Sequence, residues 1–480
     1  VTIDFENLED RFIQVTSRGG ATRDWILSKD DEIVYFVERN GNLWSTDIRT
    51  KRTKKIVEVN AYNLDMTLSN DGKKIYILAD RKLIAIDLNS GNKTNLGHPS
   101  KINVNTSAER KYIFDHAWRI MREKFYDTNL HGVNWDFYYD AYKKFLPYIA
   151  NDYDFSEMLS EMMGELNASH AGVSYFPPKS GQSETAELGL YLSVNNKQNG
   201  LVVNEVLHGG PFDNATSNVK AGHILEKIND FDLSGKIDIS QLLDKKTDKA
   251  TLFTFFDPVE KVRYEEVVKP ISFNSEYSLT KKRWIKKQEE FVKKLSDGRI
   301  GYVHISNMLG DGFRKAYAAS LSGEKMQEAM IFDIRYNLGG NQHDRLVDLF
   351  NGKKYFERIN DRVIGPDADE KWNKKSILLV NQGSYSDAHL LAEAYRAFKV
   401  GKTIGSPIPG TGTFVWYERQ LNWYLSLGII VMGFQTNDGV YTENKQFSPD
   451  ILIYNDPNDL VNGVDNQLQK AVEELMKELK

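Results

Sequence analysis

Residues 383–387 read Gly-Ser-Tyr-Ser-Asp and could present a serine as a nucleophile. An apolar stretch typical of a strand, residues 376–382, precedes them, and a helical pattern, residues 388–398, follows. A serine at a sharp strand-to-helix turn has an exposed hydroxyl, and the N–H groups of the next turn can bind an oxyanion. The motif is not Gly-x-Ser-x-Gly, because Asp387 follows Ser386 and no second glycine comes after it. A turn whose serines only cap the helix is the alternative interpretation.

A serine nucleophile requires a general base, and the sequence offers nine histidines. His170 follows Ser169 and precedes an Ala-Gly pair at the start of a predicted strand. The local pattern alone favours a solvated or core histidine at this position. His389 and Glu393 lie one turn apart on the helix after Ser386 and suggest a metal pair. Because no third ligand is evident, we interpret both as ordinary helix positions.

The first hundred residues contain a repeat with a period of 41 residues, seen in segments 28–36 and 69–77. Each copy continues into a second and a third predicted strand, as in the four-stranded blades of a propeller. Propellers need about four to eight blades, so two blades and the edge of a third cannot close. We therefore expect the chain to be a fragment or processed product, with further blades upstream of Val1. A small independent β-sandwich is the alternative.

The rest of the chain changes pattern three times, so the expected fold class is multidomain α/β. Residues 1–105 would form the partial propeller, and residues 106–182 a helical catalytic subdomain that carries the Ser-His pair. Residues 183–275 resemble a PDZ domain. Residues 276–480 alternate strands and helices, which predicts an α/β catalytic subdomain with a mainly parallel sheet.

The PDZ resemblance carries two specific expectations. The Leu-Gly-Leu loop around Gly189 stands where PDZ domains bind a peptide's terminal carboxylate through backbone N–H groups. A short helix is expected to start at residues 209–212, which read Gly-Gly-Pro-Phe. His223 stands where an aspartate is usual, so the unit could be structural rather than ligand-binding.

Composition excludes several classes of function. Net charge is −5 with both signs mixed along the chain, which gives no basis for nucleic-acid binding. The absence of cysteine excludes disulfides, thiol catalysis and cysteine-bound metals, and no cofactor is expected. The best candidate for a membrane span, residues 421–434, is too short and contains Asn422, so it predicts a buried strand. The protein is expected to be soluble, and its compartment, cytoplasmic or periplasmic, stays open.

Five features occur in an order that resembles a known family. They are the Ser169-His170 pair, the PDZ-like insert, residues 333–341 with their Leu-Gly-Gly turn, residues 383–388, and residues 441–444 with 448–451. In this order they make the chain similar to the C-terminal half of a tricorn-type serine protease, a relative of the C-terminal processing peptidases. Processing peptidases use a lysine base on the helix after the nucleophile. Residues 409–413 contain no lysine, and the Ser-His pair matches the tricorn pattern instead.

The resemblance implies a catalytic tetrad. Ser386 would be the nucleophile and His170 the general base. Ser169 and Glu443 would orient and polarise the histidine, in the role that aspartate has in the familiar triad. Taken without the family, Glu443 would be interpreted as a surface loop acid.

The resemblance also implies an oxyanion hole and a specificity region. The backbone N–H groups of Gly339 and Asp387 would bind the oxyanion, with Gly340 as the alternative because the two glycines are adjacent. Glu357 and Asp361 lie where this family can place specificity residues, which would favour Lys or Arg in the substrate.

The expected function is therefore a serine peptidase that hydrolyses short or unfolded peptides through an acyl-enzyme. The alternatives are a catalytically decayed peptide-binding protein and an esterase that uses the same site. The presence of all four tetrad residues argues against decay. The resemblance further implies that the full-length protein is a homo-oligomer, and neither nucleic acid nor membrane insertion is expected.

Overall fold

The computed structural model describes residues 15, 22–38, 41–59, 64–79, 82–97, 103–177, 184–194, 199–234, 238–323, 326–360, 362–367 and 369–480 of the chain. They fall into two compact units, residues 1–104 and residues 105–480. The boundaries predicted near residues 182 and 275 lie inside the second unit, so the four-part division stays a prediction.

The first unit holds two four-stranded antiparallel sheets of blade-like form, each with its strands in chain order. The strands are β1 Thr22–Leu27, β2 Ile33–Glu38, β3 Asn42–Asp47, β4 Thr53–Glu58, β5 Leu64–Leu68, β6 Lys74–Ala79, β7 Lys82–Asp87 and β8 Lys93–Asn95. The sequence repeat marks one turn in both sheets. Ser28 Oγ accepts the Ile33 N–H, and Ser69 Oγ accepts the Lys74 N–H, each at 2.9 Å. The predicted edge of a third blade has no counterpart among the described residues of this unit.

A layer of helices begins the second unit: α1 Thr106–Lys124, α2 Trp135–Lys143 and α3 Asp152–Gly164. Each helix starts at an asparagine whose side chain accepts a backbone N–H three residues further on. The buried faces pack against a C-terminal strand, β23 (Leu425–Gly433), and strand β9 (Gly172–Tyr175) pairs antiparallel with the same strand. This pairing brings residues 169 and 170, just before β9, to the C-terminal half of the unit.

An antiparallel sheet follows, in agreement with the predicted β-domain, although its assignment as PDZ stays a prediction. Its elements are β10 Leu190–Val194, β11 Leu201–Val206, β12 Ile224–Ile228, β13 Phe231–Asp232, α4 Ile239–Leu243, β14 Thr251–Asp257 and β15 Val262–Val268. The helix predicted to start at residues 209–212 is wrong, because this segment forms turns. Asn214 Oδ1 accepts the N–H groups of Thr216 and Ser217, and such local bonds compete with a helix.

A five-stranded parallel sheet with the order β16-β17-β20-β21-β24 forms the core of the C-terminal half. Its strands and the elements around them are α5 Phe273–Leu295, β16 Ile300–His304, α6 Gly310–Ala318, β17 Ala329–Asp333, α7 His343–Phe350, β18 Phe356–Asn360, β19 Arg362–Asp367, β20 Lys375–Val380, α8 Asp387–Ala397, β21 Lys402–Gly405, β22 Thr413–Arg419, β23, β24 Ile451–Leu452, α9 Pro457–Val461 and α10 Asn466–Glu478. The predicted fold class is confirmed.

The carboxyl edge of this sheet positions the candidate site. β17 and β20 are neighbours, so the glycine turn after β17 and the serine turn after β20 meet at one edge. Open α/β sheets bind ligands at this edge. None of the helices in the described ranges has the length and apolar character that crossing a bilayer requires.

Candidate active site

Ser386 is the last residue of the turn between β20 and α8. Its backbone has φ 55° and ψ −123°, a combination that residues other than glycine rarely adopt. The Ser386 N–H donates to Thr411 Oγ1 at 3.0 Å, which holds the turn in place. Strain of this kind persists only where the surrounding structure imposes it, and it clusters at functional sites.

The second serine of the motif has a different environment. Ser384 is fully buried, and its hydroxyl donates to the Ile334 carbonyl at 2.9 Å. Ser386, in contrast, lines a cleft of about 440 Å³. Only one serine of the motif therefore reaches a space that a substrate can enter.

The glycine turn after β17 packs directly on Ser386. A Cβ added to Gly339 would lie 2.6 Å from Ser386 Cβ and 3.0 Å from Asp387 N, so this contact requires glycine. The Asp387 N–H belongs to the first residue of α8 and has no acceptor within the helix. The Gly339 N–H donates to Asn337 Oδ1 at 2.9 Å, whereas the described residues provide no acceptor for the Gly340 N–H.

Three side chains form a hydrogen-bonded chain behind His170. His170 Nδ1 lies 2.8 Å from Ser169 Oγ, which donates to Glu443 Oε2 at 2.9 Å. The Ser169 N–H donates to Glu443 Oε1 at 2.5 Å, and the glutamate is buried, with 5% of its surface exposed. A carboxylate only accepts, so the Ser169 proton faces Glu443 and the Ser169 oxygen accepts from His170 Nδ1–H. This tautomer leaves His170 Nε2 free to accept a proton.

Burial lowers the pKa of His170, and a hydrogen bond with the backbone of Ser169 opposes this effect in part. Desolvation disfavours the charged imidazolium, so the neutral ring that a general base needs persists to lower pH. Ser386 and His170 line the same cleft, but no hydrogen bond joins them in the described structure. Such bonds are often long without substrate and tighten when it binds.

The walls of the cleft are largely apolar and aromatic. Besides the residues already named, the lining contains Leu338, Leu390, Phe414, Val415, Tyr417 and Phe434.

Comparisons with known proteins agree with this geometry. The Tricorn protease C1 domain family matches residues 106–164, and Peptidase family S41 matches residues 299–453. The tricorn protease homolog of Saccharolobus solfataricus is 25% identical over 450 residues, which cover 88% of this chain and 41% of the relative. The tricorn protease homolog 1 of Streptomyces coelicolor is 25% identical over 451 residues, 84% of this chain and 39% of the relative.

A solved crystal structure of the tricorn protease has the same fold, with a TM-score of 0.79 at 20% identity over 96% of this chain and 47% of that one. This chain resembles the tricorn-type serine proteases along nearly its whole length. It spans about half the length of the curated relatives it matches.

Sequence reasoning missed several residues of this tricorn-like site. Thr413 Oγ1 lies 3.2 Å from His170 Nδ1 and 3.3 Å from Ser169 Oγ, as a second neighbour of the imidazole. The backbone N–H of His170 donates to Tyr385 OH at 3.1 Å. The sequence signal for Thr413 was the run Pro-Gly-Thr-Gly-Thr at residues 409–413, whose small residues indicate close packing. Its close packing explains the small residues, because a Cβ on Gly412 would lie 2.0 Å from Thr442 Oγ1.

A buried arginine anchors the glycine turn of the tricorn-like site. Arg335 pairs with Asp333 at 2.7 Å and with Asp465 at 2.8 Å, and all three side chains are buried. The buried partners raise the pKa of Arg335 and outweigh its desolvation. These ion pairs explain Arg335 as a structural residue of the turn.

Four other candidates lie away from the cleft or outside the described residues. Glu357 is exposed on β18, pairs with Lys354 at 2.8 Å and does not line the cleft. Asp361 lies outside the described residues. His389 is buried, and its Nδ1 accepts the Thr411 N–H at 3.2 Å. Its Nε2 lies 3.6 Å from Glu393 Oε1. The described residues contain no group of three side chains that could hold a metal ion.

The loop predicted to bind a peptide carboxylate already has a partner within the chain. The Gly189 N–H donates to Glu276 Oε1 at 3.0 Å, on helix α5. Burial, followed by a hydrogen bond with the Glu187 carboxyl, raises the pKa of Glu276 to about 7. His223 Nδ1 lies 2.6 Å from Tyr264 OH, inside the same β-domain. Both contacts suit a structural role for this domain.

Proposed function

We propose that the chain is the catalytic part of a serine peptidase that hydrolyses peptide bonds through an acyl-enzyme. One observation carries the proposal. Ser386, in a strained turn, and His170 line one cleft, and Ser169 connects Nδ1 of that histidine to the buried carboxylate of Glu443. The match of residues 299–453 to Peptidase family S41 supports the same reaction class.

The roles follow from proton positions. His170 Nε2 takes the proton of Ser386 Oγ while the oxygen attacks the scissile carbonyl carbon and forms the tetrahedral intermediate. The imidazolium then returns this proton to the leaving amine, and the C–N bond breaks. Water, activated by the same nitrogen, attacks the acyl-serine ester and releases the acid. Glu443 stabilises the imidazolium through Ser169.

The oxyanion that forms in these steps needs two donors. The first proposed donor is the Asp387 N–H, for which the described residues provide no acceptor. The glycine pair supplies the second. Gly339 touches Ser386, but its N–H already donates to Asn337, so the Asn337 amide must share or release it. The Gly340 N–H is the alternative donor from the same turn.

Replacing Glu443 by glutamine is expected to lower kcat by roughly 10²- to 10⁴-fold with the fold intact. Glutamine has an amide N–H where the carboxylate accepted the Ser169 hydroxyl proton. Ser169 would then donate to His170 Nδ1, and the imidazole would adopt the wrong tautomer for accepting a proton at Nε2. Steady-state kinetics on a fluorogenic peptide measure the effect.

The matched control for this substitution is Glu260→Gln, an exposed position in the β-domain that is expected to leave kcat unchanged. If Glu443→Gln has wild-type kinetics from acid to alkaline pH, the glutamate is only a loop acid. The proposed tetrad then shrinks to Ser386, His170 and Ser169.

Peptides, rather than esters, are the proposed substrates. Matched peptide and ester substrates with the same acyl part separate the two hydrolase classes. A peptidase cleaves both, whereas turnover of the ester alone would replace the proposal with an esterase. A folded chain that binds the peptide and cleaves neither substrate would be a peptide-binding protein.

We also propose that the full-length protein self-associates and prefers short or unfolded peptides. The physical reason is that an open serine-peptidase cleft needs a barrier against folded proteins. Light scattering of the full-length protein, paired with assays on short peptides and on folded proteins, is expected to show an oligomer that degrades peptides much faster. A monomer that digests folded proteins would overturn this expectation and leave the catalytic roles untouched.

A further inference from the structure

The side chain of Asp387 connects the two halves of the proposed oxyanion hole. Its carboxylate is buried, although the residue contributes only a backbone N–H to the reaction proposed above. Asp387 Oδ2 accepts the Gln342 N–H at 2.7 Å and the His343 N–H at 3.0 Å. The other oxygen, Oδ1, forms a short hydrogen bond with His343 Nδ1. One carboxylate therefore takes three donors from the start of helix α7.

These bonds hold the glycine turn from one side, and the backbone of Met308 holds it from the other. The Met308 N–H donates to the Gly339 carbonyl at 2.9 Å, and the Asn341 N–H donates to the Met308 carbonyl at 2.8 Å. Residues 339–342 are thus fixed between Met308, in the segment that follows β16, and Asp387, the first residue of α8. The hydrogen bond to Asp387 also raises the pKa of His343, which lines the cleft beside Ser386.

We propose that the Asp387 carboxylate and His343 are positioning residues for the oxyanion hole. Resting on the proposed function, this inference makes one side chain responsible for the spacing between the Asp387 N–H and the N–H groups of Gly339 and Gly340. Both donors must reach the position of the oxyanion, and the loss of one such donor costs about 10²- to 10³-fold in kcat. The two side chains act on the transition state through the spacing of these N–H donors. The reaction does not require either side chain to contact the substrate.

Asp387→Asn tests the carboxylate directly, because it keeps the backbone N–H. An amide has one acceptor oxygen, and its NH₂ would face a donor of the α7 turn, so the turn must shift. We expect kcat to fall about 100-fold while KM changes less than about threefold. Inhibition by a peptide aldehyde, whose hemiacetal oxygen occupies the hole, should weaken by a similar factor.

A pair of His343 variants tests the partner. Asparagine can place an amide N–H near the position of the imidazole Nδ1–H, whereas leucine cannot donate. We expect His343→Leu to lose about as much kcat as Asp387→Asn, and His343→Asn to retain at least about ten times the kcat of the leucine variant. Asp344→Asn, which removes an exposed charge on the same helix, is the control and should behave as wild type.

Thermal melting shows whether each variant folds, and the His343 pair decides the matter if Asp387→Asn does not. The inference is overturned if the folded variants keep kcat within about twofold of wild type, or if they change KM and leave aldehyde inhibition unchanged. Failure of the proposed function looks different. In that case the wild-type protein itself neither cleaves the peptide nor reacts with a fluorophosphonate at Ser386.

Discussion

Replacing Ser386 by alanine is expected to lower kcat on peptides by roughly a million-fold while the protein stays folded. The change removes the oxygen that is proposed to form the acyl bond, and no described hydrogen bond of the fold depends on the Ser386 hydroxyl. Alanine keeps a Cβ in the same strained turn, so the thermal melting temperature should change little. Fluorogenic peptide hydrolysis measures the loss.

The matched control is Ser384→Ala in the same turn. Ser384 donates to the Ile334 carbonyl from a buried position, so its loss should lower stability and leave the nucleophile in place. A pure Ser386→Ala protein with near-wild-type turnover would remove Ser386 as nucleophile and make Ser384 the next candidate.

His170→Ala should be about as damaging as the serine substitution, because nucleophile and base act as a unit. Without the imidazole, Ser386 loses the base that is proposed to take its proton. The double variant Ser386→Ala/His170→Ala should therefore be no slower than either single variant. Losses that add fully in the double variant would contradict a shared role.

The pH profile of the wild-type protein provides a second test of His170. The ring must be neutral to accept a proton, so kcat/KM should fall as the pH drops through its pKa. Burial lowers this pKa, so the midpoint of the acid limb should lie below the ordinary histidine value of about 6.5. A midpoint above that value would assign the limb to another group.

The fold was largely readable from the sequence because its signals are local. The apolar run at residues 376–382 and the helical spacing after it predicted the turn that holds Ser386. The 41-residue repeat predicted two similar sheets, and in each sheet the first serine of the repeat, Ser28 or Ser69, accepts a backbone N–H. The failure at residues 209–212 is also local. A Gly-Gly-Pro start was given more weight than the polar residues after it, which bond to nearby backbone.

The candidate site was only partly readable because its contacts join distant segments. Thr413 reaches His170, and Thr411 accepts the N–H of Ser386, only because the fold places residues 409–413 beside the turn that holds Ser386. The Asp387 carboxylate was missed for the same reason, since its donors precede it by more than forty residues. Family resemblance, rather than periodicity, suggested Glu443 as a site residue. In the structure its carboxylate accepts hydrogen bonds from the N–H and the hydroxyl of Ser169.

The most direct test of the central claim is to locate the nucleophile covalently. The folded wild-type protein is treated with a fluorophosphonate, digested, and its peptides are sequenced by mass spectrometry. We predict one adduct, on Ser386, formed together with loss of peptide hydrolysis and strongly slowed in His170→Ala. An adduct on another serine, or an active protein with Ser386 unmodified after complete inhibition, would contradict it.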